Sequence, residues 1–440
     1  MKLARFVLFA VSVLAFGLLS ESEVGRDSSS VLAQGQAPCT VTVKPGESIQ
    51  KAIDAAKEGA VICLEVGEWR EHLTISKSLA LRGAGQEQTK IKGAEAGDVI
   101  RIKSDFEIRV TIGELTAAEA KGGDGLNVMS EANVSLINMQ VSDNELTGLW
   151  VHSGQVSLTN SQISDNGYSG LWVMGHAEVS LTGSQILNNK GEGLLVQDWA
   201  RVQIRDSIIR DNRGEYPDGF GNGLWARDYA EVSLTNSTIS NNRCGLWVLR
   251  SATVNLTNSE VSSNGVGLDV GNLAQVSLIN STVSGNRYDG LIVSGGTVDL
   301  TGSLISSNGQ SGIWVWGFAR VKVHQSTIDG NGTDPSCQQP GPSLYKICNG
   351  ITASWESKTT IIESKIVNNT DWGLAAELKK CGYDEDGFNR FWGTGQVTFE
   401  GMELEDISGN NTSGNQNGLG NPGNHYWNRP DIPDGQVCLP

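Results

Sequence analysis

Asp198 and Asp228 are the carboxylates whose spacing most invites chemistry. Each stands five residues after a glycine, Gly193 and Gly223, in consecutive copies of one repeated phrase. If successive copies stack as neighbouring parallel strands, the two side chains lie one rung of about 5 Å apart. Carboxylates that close split their pKa values or share a cation. A lyase would need a basic residue beside a Ca²⁺ site, and Arg227 with Asp198 and Asp228 imitates one. These three are the candidate catalytic residues, Arg201 is expected close by, and calcium is the candidate cofactor. The competing reading is a solvated corner with ordinary charge pairing. Trp199 and Tyr229 follow the two aspartates and are expected to stack beside them. Residues 384–387 (DEDG) offer a weaker calcium candidate, without the remaining ligands of an EF-hand loop. Five scattered histidines give no zinc spacing.

The elements that must position these groups follow from the repeat. Its clearest copy is residues 223–239, GLWARDYAEVSLTNSTI. Glycines at 125, 148, 170, 193, 223, 245, 267, 290, 312 and 350 open successive copies, mostly 22 or 23 residues apart. A short fixed period marks a solenoid in which each repeat touches only its neighbours. Each copy carries three apolar patches that alternate with period 2, such as 224–226, 232–234 and 238–240, so these are strands. Three short strands close one coil, and stacking pairs each strand in parallel with its equivalents. Serines at 161, 184, 207, 237, 259, 281, 303, 326 and 364 form one column, each followed five residues later by Asn. Asn160, Asn236, Asn258 and Asn280 mark a tight turn between the second and third strands. Stacked amides can hydrogen-bond along the axis, so these columns read as structural. The Gly193 and Gly312 coils are enlarged by residues 213–222 and 332–349.

The ends differ from the middle. MKLAR and the apolar run 6–19 read as a secretory signal, too short to span a bilayer, with cleavage expected near residue 33. Residues 39–124 read as an N-terminal cap and first irregular coils, with an amphipathic helix over 48–57 capped by Ser48. Residues 125–373 form the regular coils, and 374–440 an aromatic and Gly/Asn-rich C-terminal cap or tail. A secreted or cell-envelope location is expected, with no membrane span in the mature chain. The net charge of −16, from 33 basic and 49 acidic residues, argues against nucleic acid. It also argues against capture of an acidic polysaccharide without a bridging cation. Seven cysteines in an exported chain suggest disulfides and one odd thiol. Proximity in sequence pairs Cys39 with Cys63, Cys337 with Cys348 and Cys381 with Cys438, and leaves Cys244 free.

The three-strand coil, the Asn and Ser columns and the segment 45–85 (PGESIQKAIDAAKEGAVICLEVGEWREHLTISKSLALRGAG) resemble the parallel β-helix proteins of the pectin-lyase-like superfamily. The resemblance is nearest to exported bacterial β-helix repeat proteins and covers roughly residues 40–373. It implies an all-β fold: a right-handed parallel β-helix of three strands per coil, with an N-terminal capping helix and an irregular C-terminal cap. Activity does not follow from fold. The NTD, paired-Asp and GHG set of polygalacturonases does not occur together. Arg101-Ile102-Lys103 spells RIK in an early coil without those partners, and the DPHD motif of alginate epimerases is absent. Gln197-Asp198 resembles a pectin-esterase dipeptide without its companions.

In this superfamily binding sites lie along the outer face of the first strand, here the GLW strand. Its outward positions fall two and four residues after each glycine. The first column reads Trp150, Trp172, Leu195, Trp225, Trp247, Asp269, Ile292 and Trp314. The second reads His152, Met174, Gln197, Arg227, Leu249, Gly271, Ser294 and Trp316. Three readings compete for the tryptophans. Indoles bind sugar rings. An apolar strip is otherwise covered, here by a partner subunit or by the tail with Phe391, Trp392, Tyr426 and Trp427. In the third reading, cross-strand stacking of the tryptophans holds the sheet together. The ligand-binding candidates are Trp150, Trp172, Trp225, Trp247, Trp314, Asp269, Trp199 and Tyr229. The expected function is polysaccharide recognition. A polysaccharide lyase, hydrolase or epimerase is one alternative, and a structural or adhesive envelope protein is the other. Oligomeric state stays open.

Overall fold

The computed structural model describes residues 37–129, 131–214, 221–338, 348–354, 356–370, 373–376, 396–400 and 419–420. The expected signal at 1–33, the Cys381–Cys438 pair, the 384–387 calcium candidate and the tail aromatics lie outside the described residues.

Short strands with apolar residues on alternate positions cannot bury that face alone. Here they bury it by stacking into coils. In strand Leu149–Val151 the flanking Leu and Val are fully buried while Trp150 is half-buried. Strand Glu231–Thr235 buries Val232 and Leu234 and exposes Glu231. Strand Thr238–Ser240 buries Ile239. Equivalent residues of successive coils form one continuous core from Val43 to Val397. Burying such a side chain stabilises by about 1.5–3 kcal/mol, so each coil is held by a few residues and by its neighbours.

All strand pairings named here are parallel. The first strands make a 14-stranded sheet from Leu73–Ile75 to Leu419–Gly420. The second and third strands join in one 26-stranded sheet. The pattern of separate short strands holds for the regular coils. In two early coils, however, strands Arg109–Ala118 and Asn133–Ser142 run through the corner unbroken and pair along their length. The corner survives within them as left-handed Glu114 and Asn138, at φ 57° and 49°. Asn160, Asn236, Asn258 and Asn280 turn the later coils at φ 48–50°, a conformation that Asn tolerates better than most residues.

Both polar columns are buried ladders. Asn144 Nδ2 donates to Asn166 Oδ1 at 2.9 Å, and the same link repeats upward until Asn331 donates to Asn369 at 2.9 Å. Backbone N–H groups of the serine column donate to the serine hydroxyl one coil above, from Ser161 to Ser364. The Asn ladder explains the glycine that opens each phrase. A Cβ on Gly245 would sit 2.5 Å from Gly267 O, 2.6 Å from Val261 Cγ1 and 3.0 Å from Asn264 Nδ2. Gly245→Ala is therefore expected to destabilise by about 1–3 kcal/mol through overpacking, read as a lower urea midpoint. An unchanged midpoint would show that the rung can simply widen.

At the N-terminus the helix is Ile49–Ala55, shorter than the 48–57 expected. Ser48 Oγ accepts from Lys51 N, and the Glu71 carboxylate accepts from the N–H groups of Ile49 and Gln50 at 3.2 and 3.1 Å. That carboxylate fits the positive end of the helix. Ile49 and Ile53 join the core with Val43 and Leu73. Cys39–Cys63 and Cys337–Cys348 are bonded as expected. Cys244 is the free cysteine among the described residues, and burial pushes its thiol upward.

Candidate functional site

Parallel, in-register stacking brings the outward residues of the first strands into one line. Trp150 pairs with Trp172, Trp172 with Leu195, Leu195 with Trp225, Trp225 with Trp247, Trp247 with Asp269, Asp269 with Ile292 and Ile292 with Trp314. The tryptophans are half-buried and Leu195 is buried. Trp150 and Trp172 stack with centroids 4.8 Å apart and planes 12° from parallel. Trp225 and Trp247 do the same at 4.8 Å and 20°. The separation equals the rung spacing, so the indoles lie across the solenoid axis and spend a face on each other. Cross-strand stacking, one of the three readings of this column, is realised. A sugar that needs a ring face meets one only at the end of a stack. Trp247 turns its second face toward the Asp269 rung, and Trp150 toward the Asn127 rung.

The second outward column decorates the first. The Arg227 guanidinium lies 4.8 Å from the Trp225 ring centroid, and its NH2 donates to Gln197 Oε1 at 2.6 Å. The His152 ring rests 4.0 Å from Trp150, and Trp316 lies 6.2 Å from Trp314.

The turn that follows the first strand carries a second ladder. Ala177, Ala200, Ala230, Ala252, Ala274 and Ala319 point inward at this turn and are fully buried. The residue before each alanine therefore points out. His176, Trp199 and Tyr229 stack there in sequence, with centroids 5.4 and 5.6 Å apart and planes 17° and 6° from parallel. Trp199 is 55% exposed and Tyr229 58%. The expected Trp199–Tyr229 stack is present, and His176 extends it by one coil. Leu273 and Phe318 hold equivalent turns further on and are more exposed still. The alanine that marks the turn was the available signal for these three residues.

Asp198 and Asp228 build the same turns. Both are left-handed, at φ 62° and 63°. Asp198 Oδ2 accepts from Gly175 N–H in the coil below at 3.2 Å. Asp228 pairs with Arg250 in the coil above at 3.6 Å and with Arg227 at 3.7 Å. The two carboxylates thus serve different partners. Arg201 bridges Glu178 and Glu231 on the exposed second strands, at 3.5 and 3.1 Å. Among the described residues, no group of three or more His, Cys, Asp or Glu side chains is placed to hold a metal ion.

Three other carboxyls are tuned by burial. Asp269, beside Trp247, is pushed up to about 6 by desolvation. Asp289 rises to about 7 by desolvation, opposed by its hydrogen bond from Ser311 N at 3.0 Å. Asp124 rises to about 6, again chiefly by burial. Asp124 belongs to a cluster that sequence reasoning passed over. Asp98 Oδ2 accepts from Arg101 Nε and NH2 at 3.0 and 2.9 Å, and its Oδ1 accepts from Asp124 N. Asp124 accepts from Thr147 N at 2.9 Å and from Asn127 Nδ2 at 3.4 Å. Arg101, set aside as an incomplete RIK motif, is thus an exposed side chain that pairs with the buried Asp98 carboxylate. The usable signal was the residue before each opening glycine, which is polar in most coils.

A family model described as a right-handed β-helix region matches residues 98–261 and 250–419. No curated protein matches the sequence. Solved structures resemble it at low identity. A pectate lyase is 16% identical over 60% of this chain and 79% of its own, with a TM-score of 0.48. The A-module of a mannuronan C-5 epimerase from Azotobacter vinelandii is 16% identical over 80% and 91%, at 0.40. An alginate lyase from Paenibacillus is 15% identical over 61% and 96%, at 0.40. Among the described residues no helix is long and apolar enough to cross a membrane.

Proposed function

The chain belongs to the right-handed β-helix family, and from that premise we propose that it is an exported glycan-recognition protein. The carrying observation is the exposed ladder His176–Trp199–Tyr229 beside the half-buried tryptophan column. An aromatic ladder left in water calls for a ligand with an apolar ring face and a polar rim. A pyranose has both. In the coil above Tyr229 the equivalent turn residue is Ser251, too small to cap the phenol ring. A sugar ring placed there continues the stack. The Asp228–Arg250 ion pair stands at its edge to meet hydroxyls. A net charge of −16 favours neutral glycans over acidic ones. The disulfides suit an oxidising, extracellular compartment.

The test is retention of the purified chain on insoluble xylan, mannan, cellulose and β-glucan. Each lost aromatic stack is worth about 0.5–1.5 kcal/mol. The Trp199→Ala/Tyr229→Ala double variant should therefore bind roughly 10-fold more weakly, with an unchanged circular dichroism spectrum. Equal retention of variant and wild type, or retention of neither, rejects the reading.

A further inference from the structure

The N-terminal end of the tryptophan face carries buried polar atoms that neither the aromatic stacking nor the core satisfies. Arg101, Asn127 and Trp150 are outward residues on three consecutive rungs. Asn127 is only 6% exposed. Its Nδ2 points to Asp124, and among the described residues its buried Oδ1 has no hydrogen-bond partner. Turning the amide over lets a protonated Asp124 donate to Oδ1, but then Nδ2 is the unpartnered atom. In either orientation one polar atom of a buried side chain lacks a partner, which is costly and uncommon. Two more such atoms belong to the next rung: the indole Nε1 of Trp150, the residue paired with Asn127, and Nε2 of His152, two residues further along the chain. Together they offer an amide, an N–H donor and an imidazole nitrogen that donates or accepts.

The cluster carries no surplus of positive charge. Arg101 is matched by Asp98. Burial lowers the His152 pKa, so its ring is uncharged near pH 7. Burial pushes Asp124 up to about 6. His72 is occupied structurally, with Nδ1 on Asp98 O at 2.6 Å and Nε2 accepting from Glu95 N. An anionic ligand finds no unmatched positive charge here, and Asp124, largely ionised near pH 7, repels it. Hydroxyls, which donate and accept at once, satisfy all three groups.

We propose that Asn127, Trp150 and His152 form a subsite for the neutral, vicinally hydroxylated ring of a glycan, anchoring one end of the chain that the face binds. The proposal rests on the glycan reading of this face and adds to it a place and a ligand class. All three atoms are buried, and the half-buried His152 ring rests 4.0 Å from the Trp150 ring. The subsite requires that ring to turn aside and admit a hydroxyl.

The experiment follows the Trp150 indole N–H resonance of the ¹⁵N-labelled full chain, assigned with Trp150→Phe. The probes are cellohexaose, xylohexaose and mannohexaose as neutral chains, and hexagalacturonate as an acidic one. At least one neutral probe should shift the resonance saturably, and Asn127→Leu should weaken that binding at least 10-fold. If Asn127→Leu does not fold, His152→Ala serves, with the same expected loss. In the Trp199→Ala/Tyr229→Ala variant the Trp150 shift should persist at higher ligand concentration. An unmoved Trp150 resonance overturns the subsite, as does a larger response to hexagalacturonate or an unimpaired Asn127→Leu. Neutral-probe binding that depends on Trp199 and Tyr229 while Trp150 stays silent removes the subsite and leaves the glycan reading standing. Absence of any binding removes both.

Discussion

Asn264→Ala is expected to break the cooperative unfolding of the solenoid near its middle. Asn264 Nδ2 donates to Asn286 Oδ1 at 3.2 Å and to the carbonyls of Ile239 and Ser262 at 3.1 Å. Its Oδ1 accepts from the backbone N and the Nδ2 of Asn242, at 2.9 and 3.1 Å. Alanine removes all of these and leaves the backbone N–H of Asn242 buried without its acceptor, while Asn242 Nδ2 keeps the carbonyls of Ile209 and Ser240. A buried group left unsatisfied costs about 1–3 kcal/mol and each further lost hydrogen bond about 0.5–1.5 kcal/mol, so the sum is on the order of 3–5 kcal/mol. In a stack stabilised by nearest-neighbour interfaces, that loss falls on one interface. Urea unfolding followed by circular dichroism should show an earlier transition and a broader or divided one. A single transition within about 1 kcal/mol of wild type would mean that the ladder is redundant with the strand pairing.

The second large effect concerns pH. Asp289 is 5% exposed, and burial pushes its carboxyl up to about 7. An unfolded aspartate titrates near 3.9. The folded state therefore binds this proton more tightly. The stability it contributes is fully present below about pH 4 and is lost as pH rises through about 7. A shift of roughly three units corresponds to about 4 kcal/mol at most, and relaxation around the charge reduces that figure. Asp289→Asn keeps an Oδ1 acceptor for Ser311 N–H and cannot ionise. The variant should exceed wild type by on the order of 2–4 kcal/mol at pH 8 and match it near pH 4. Asp124 and Asp269, raised to about 6 in the same direction, leave the variant a residual decline between pH 4 and 6. Parallel wild-type and variant curves across pH 4–8 would mean that water reaches the Asp289 carboxyl.

Much of the architecture was legible because each coil solves the same steric problem with the same residues. Alternating Leu and Val fix the inward face, and Asn236 and its equivalents fix the left-handed corner. Asn and Ser recur wherever one coil must bond to the next. Cys39–Cys63 and Cys337–Cys348 could be paired by proximity since the loops between them are short. Trp199 and Tyr229 could be expected to stack because equal positions in a parallel solenoid lie one rung apart.

Orientation and partnership were not legible. The alternation says that Trp150 and Trp225 point outward. Only the packed rungs decide that their faces are spent on Trp172 and Trp247. The spacing brings Asp198 and Asp228 to equivalent turns, yet the Gly175 amide and Arg250 claim them separately. The network joins Asp124 and Asn127, beside the first opening glycine, to Asp98 and Arg101 in the irregular coil below, where the phrase gives no register to read. Sequence by itself determined the coil, its ladders and the line on which aromatic residues stand, since these follow from a repeat of local pattern. Tertiary structure alone decided which ring faces and which buried polar atoms remain for a ligand, because that depends on what the neighbouring coil places against each of them.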